Sequence, residues 1–103
     1  KNLKTLNLAN NKITEIRKIG KLDKLEFLNL ANNQITVLEN LEKCKSLHMI
    51  VVSGNPLKKI TLSCRNFLIN NGVIFLFGDI KKTADEALET LKLEVITNKK
   101  GRK

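Results

Sequence analysis

The stretch Leu3-Lys4-Thr5-Leu6-Asn7-Leu8-Ala9-Asn10-Asn11-Lys12-Ile13-Thr14-Glu15-Ile16 decides the fold because it recurs. Its aliphatic positions, Leu3, Leu6, Leu8, Ile13 and Ile16, return 22 residues later as Leu25, Leu28, Leu30, Ile35 and Leu38. They return again as Leu47, Ile50, Val52, Leu57 and Ile60. Every aliphatic slot is filled in all three copies, and the polar slot between them holds Asn11, Asn33 and Asn55. Ile19 with Leu41, and Leu22 with Cys44, stand one further period apart. A period of this length is the signature of a stacked repeat, in which each unit buries its apolar face only against its neighbours.

Within one repeat the Leu-x-Leu step has strand period, so both leucines face one side. The later Ile-x-x-Ile spacing predicts a short helical or 3₁₀ turn that brings the chain back. The asparagines fall where the chain leaves the strand and bends inward. There a side-chain amide can satisfy backbone groups that the bend leaves unpaired, so Asn11, Asn33 and Asn55 are expected to be structural.

The pattern LxxLxLxxNxI resembles the leucine-rich-repeat superfamily. Its uniform period is similar to the intracellular class found in a regulatory subunit of protein phosphatase 1, in the axonemal dynein light chain of this type, and in a spliceosomal subunit. The resemblance implies an α/β solenoid: a parallel sheet on the concave face, short 3₁₀ or helical turns on the convex face, and a helical C-terminal cap. It also implies a non-catalytic module that binds another protein through the concave sheet. The partner would be a phosphatase, a cytoskeletal or ciliary component, or a centrosomal protein, in the cytoplasm or associated with the nucleus or cytoskeleton.

Three segments follow. Residues 1–60 carry three repeats, and no N-terminal cap is visible before the first; the expectation is that missing chain, a partner or a second copy covers that end. Residues 61–98 form the C-terminal cap. The Asn-Pro-Leu step at 55–57 resembles a last regular repeat, and Arg65 and Asp79 have the separation seen in caps of this class. Residues 62–70 read as a short helix, 73–77 as a buried strand ended by Gly78-Asp79, and 83–97 as a terminal helix opened by a Thr83…Glu86 capping box and shielding the last strand edge. Residues 99–103 are a basic tail.

The net charge is +9, with +6 on residues 1–60, −1 on 61–98 and +4 on the tail residues Lys99, Lys100, Arg102 and Lys103. An acidic partner surface or a nucleic acid is therefore an alternative to simple solvated lysines. The tail can equally be a disordered end, part of a nuclear-import signal or a nucleic-acid contact. No apolar run approaches the roughly 20 residues of a membrane span. Cys44 and Cys64 form no CxxC pair and no disulfide-rich cap, which favours a reducing compartment and a role as small buried hydrophobes. A single histidine, His48, no phosphate loop and no nucleophile elbow argue against an enzyme, a metal site or a cofactor.

The alternation rule names the outward residues. With Leu6 and Leu8 inward, Thr5 and Asn7 face out, followed by Phe27 and Asn29, then Met49 and Val51, with Lys4, Glu26 and His48 flanking. Ala9, Ala31 and Ser53 leave room for close approach. Phe27, Met49 and Val51 are apolar on a face expected to be wet, which suits a protein-binding hot spot.

Overall fold

The structure is a computed structural model and describes residues 2–17, 19 and 22–97. The three Leu-x-Leu steps become three short strands: β1 (Thr5–Asn7), β2 (Phe27–Asn29) and β4 (Met49–Val51). They pair in parallel with the 22-residue offset preserved, Thr5 beside Phe27 and Phe27 beside Met49. Between β2 and β4, residues Val37–Leu38 form β3, followed by a 3₁₀ turn at Leu41–Lys43. After β4 come β5 (Lys59–Thr61) and helix α1 (Leu62–Asn70).

The remaining elements are β6 (Ile74–Phe77), β7 (Ile80–Thr83), helix α2 (Ala84–Leu91) and β8 (Glu94–Ile96). Two sheets result, one ordered β1-β2-β4-β6-β7 and one ordered β3-β5-β8. Both feed one core. Leu28, Ile50 and Phe75 enter it from the first sheet, and Leu38 and Ile60 from the second. Each buried aliphatic of this kind contributes roughly 1.5–3 kcal/mol.

Adjacent repeats are tied by side chains as well as by strands. The Asn33 amide nitrogen donates to the carbonyls of Leu30 and Ala31 in its own repeat and of Leu8 in the preceding one, at 3.0, 3.2 and 3.0 Å. Its Oδ1 accepts from the Ile13 N–H at 3.0 Å. Asn55 repeats the arrangement, donating to Leu30, Val52 and Ser53 and accepting from Ile35 N–H. Asn11 donates to Leu8 and Ala9 of its own repeat. Just before each of these residues the chain takes a left-handed conformation, at Asn10 (φ 63°), Asn32 (φ 58°) and Gly54 (φ 76°). Asn32 Nδ2 donates to Asn10 Oδ1 at 2.9 Å, one repeat away. A Cβ on Gly54 would meet Asn32 Oδ1, so a side chain there would have to displace that amide, and glycine also suits the positive backbone angle.

Three expectations are corrected. The segments that return the chain after each strand are not helical throughout: Leu38 and Ile60 lie in the second parallel sheet, and the 3₁₀ turn comes later, at Leu41–Lys43. The terminal helix expected over 83–97 stops at Leu91, because Lys92 is left-handed (φ 54°) and Glu94–Ile96 pairs with β5. The β-branched Val95 and Ile96 suit that strand. Finally, β7 pairs with β6 and covers its outer edge, while α2 packs against both on the face to which Lys82 points. The expectation is that the 83–97 helix shields this edge; strand β7 shields it instead. The Gly78-Asp79 signal is a hairpin turn, with Gly78 at φ 63°. Thr83 caps α2 in the expected capping box, with both reciprocal bonds present.

The amide ties predict unequal asparagines. Asn33→Ala leaves the Ile13 N–H without its acceptor and takes one of two donors from each of the Leu8, Leu30 and Ala31 carbonyls, and should lower unfolding free energy by about 2 kcal/mol. Asn11→Ala removes only bonds within one exposed repeat and should cost less than half as much. Urea midpoints of the two variants check this.

Candidate functional site: the outer face of the five-stranded sheet

Alternation along each strand sends one residue into the core and its neighbours outward. Leu28, Ile50 and Phe75 are fully buried, whereas Phe27, Asn29, Met49, Val51, Ile74 and Leu76 are half-buried on the other face. Strand register then assembles two rows. The first runs Thr5, Phe27, Met49, Ile74, Thr83; the second runs Asn7, Asn29, Val51, Leu76, Lys81. Phe27, Met49 and Ile74 are consecutive apolar members of the first row, with a threonine at each end. Val51 and Leu76 lie beside them in the second row, which ends on the exposed Lys81.

The sequence predicts residues 73–77 as a buried strand, whereas Ile74 and Leu76 lie half-buried on the outer face. The offset from Met49 to Ile74 is 25 residues, not 22, because α1 is inserted between β5 and β6. Extrapolating the repeat therefore misplaces this strand. Residues 73–77 are an unbroken apolar run, so the sequence does not tell the outward Ile74 and Leu76 from their core-facing neighbours.

The other expected residues fall as follows. Thr5 and Asn7 are exposed on the edge strand β1. Glu26 and His48 are exposed where β2 and β4 begin, and the His48 Nδ1–H donates to the Ser46 carbonyl at 2.8 Å. Asn7 and Asn29 spend their Oδ1 atoms locally, each accepting at 3.0 Å from the N–H two residues on. A partner would meet their amide nitrogens instead. The basic tail, Lys99, Lys100, Arg102 and Lys103, lies outside the described residues.

Chemistry based on the cysteines is poorly served. Cys64 is buried on α1, whereas His48 is exposed, so they make no thiol–imidazole pair. Burial pushes the Cys64 thiol far above its ordinary value of 9.0, with the Glu42 carboxylate adding to the shift; the same two causes raise Cys44. Cys44 Sγ donates to the Ile19 carbonyl at 3.4 Å. Among the described residues no group of three or more His, Cys, Asp or Glu side chains is placed to hold a metal ion. No helix among them is long and apolar enough to cross a membrane.

Two expectations can be measured. An unfolded thiol ionises near pH 9 while the folded ones stay protonated, so the unfolded state gains from rising pH. Stability should therefore fall as pH rises above about 9, and a thiol reagent at pH 8 should react only at the unfolding rate. On the sheet, Leu28→Ala should cost about 2–5 kcal/mol. Its outward neighbour Phe27→Ala should cost about 1 kcal/mol, a contrast that thermal melts resolve.

Comparison with known families agrees with the periodicity. The model described as leucine-rich repeats in two copies matches residues 1–33 and again 23–64. Neither curated proteins nor solved structures gave a significant match. With the 22-residue register, the in-register parallel strands and a family match over more than half its length, the chain belongs to the leucine-rich-repeat family.

Proposed function

We propose that this chain is a non-catalytic protein-interaction module whose partner docks on the outer face of the five-stranded sheet. The observation that carries this reading is the row Phe27, Met49, Ile74, with Val51 and Leu76 beside it. Five apolar side chains share one face of a sheet whose other face already fills the core. Apolar area that the fold does not use is what a binding hot spot supplies. The small residues Ala9, Ala31 and Ser53 follow the same strands and admit a partner backbone closely.

In this reading the repeats stack as a short solenoid with that sheet on its concave side, and residues 61–98 close the C-terminal end. Leucine-rich repeats generally bind proteins, which supports an adaptor or regulatory role in an intracellular assembly. The second reading, attachment to nucleic acid, rests on the charge of +9. The two differ in salt dependence. Phosphate-driven binding weakens steeply between about 50 and 200 mM salt, whereas apolar docking does not.

For a purified partner, Phe27→Ala with Met49→Ala is expected to lower affinity at least tenfold while the melting curve stays cooperative. Affinity for the unaltered chain should vary little with salt. A partner that binds the double variant as tightly as the unaltered chain removes this face from the account.

A further inference from the structure

We infer that the occupant of this face is an amphipathic α-helix lying across the strands, with an acidic side chain at the end that reaches β7. The inference rests on the binding face proposed above and names what fits it.

The spacing comes first. From β2 through β4 to β6 are two inter-strand steps, about 10 Å. A helix advances about 10 Å in seven residues, so residues i, i+4 and i+7 on one helical stripe fall one per strand. They would meet Phe27, Met49 and Ile74, which share one row. An extended segment laid the same way places same-side residues nearly 7 Å apart and would engage two of the three. It would also bring backbone N–H and C=O groups to a face without partners for them. The backbone groups of β2, β4 and β6 are already bonded to flanking strands. A helix satisfies its own backbone and needs only side-chain contact.

The charge comes second. Lys81 lies opposite Leu76 in the antiparallel β6–β7 pair, so its side chain stands on the same face. Among the described residues no carboxylate forms an ion pair with it. Its neighbour Lys82 faces the other way and donates from Nζ to Thr90 Oγ1 of α2 at 3.4 Å. At the opposite end the rows finish on the uncharged Thr5 and Asn7. The two rows themselves therefore carry a cation at the β7 end and none at the β1 end, where Lys4 flanks Thr5 outside both rows. That selects an acidic residue about one turn outside the anchor that meets Ile74, and it fixes which end of the apolar stripe lies over β7.

The test is a selection on the immobilised protein from two displayed peptide libraries of equal size, one on a helical scaffold and one of extended segments. The expected winners come from the helical library, with apolar residues at i, i+4 and i+7 and an acidic residue beyond. Their synthetic peptides should lose at least tenfold affinity for Phe27→Ala with Met49→Ala. They should lose about three- to tenfold for Lys81→Glu, and recover when the peptide acid is changed to lysine. Circular dichroism confirms that the variants fold. Extended winners that depend on Phe27 and Met49 overturn the helix and leave the binding face standing. Helical winners indifferent to Lys81→Glu overturn the charge assignment. Winners indifferent to every variant, or no helical winners, overturn the inference.

Discussion

Strands of three residues hold very little pairing energy, so something besides the ladder must keep adjacent repeats aligned. The side-chain amides of Asn33 and Asn55 do this. Each one bonds its own bend and the preceding repeat at the same time, as donor to a carbonyl and as acceptor from an N–H. The geometry works only when equivalent residues lie side by side. A slip by one residue would aim the amide at the wrong groups and turn every leucine of the strand away from the core. The left-handed residues Asn10, Asn32 and Gly54 make the bend that presents each amide. At Gly54 the Asn32 side chain of the repeat before lies where a Cβ would stand.

The candidate site follows from that alignment. The residues that face outward are those the core does not use, and register sorts them into rows without any further device. Phe27 and Met49 meet because Leu28 and Ile50 meet. The row then continues beyond the regular repeats. Helix α1 lengthens the last connection, β6 joins β4 in parallel, and β7 turns back antiparallel. This hairpin does two things. It covers the edge of β6 with a strand carrying Lys81 and Lys82, charges that discourage further edge pairing. It also brings a lysine to the end of an apolar row.

The repeats were legible in the sequence because their signal is periodic and redundant. Fifteen aliphatic slots and three asparagines agree. The C-terminal part was legible only where local chemistry speaks: Thr83 and Glu86 announced a helix start, and Asn70-Asn71-Gly72 announced a turn. It was illegible where tertiary pairing decides. Leu91 and Val95 have helical spacing, yet the left-handed Lys92 and the free edge of β5 make residues 94–96 a strand. Ile80-Lys81-Lys82-Thr83 shows no strand pattern and becomes one because β6 offers an edge. For the site, Phe27, Met49 and Val51 could be named from alternation. Ile74 and Leu76 could not be joined to them, since the offset changes from 22 to 25.

The tie between repeats can be measured directly by native-state hydrogen exchange at the Ile13 and Ile35 amides. Neither residue lies in a strand or helix, and each N–H donates at 3.0 Å to an asparagine Oδ1 of the following repeat. The account predicts that both exchange as slowly as the strand amides of Leu28 and Ile50, opening only when the stack opens. Exchange at the rate of an unstructured loop, with the strand amides still protected, would show that the asparagines do not hold the repeats together.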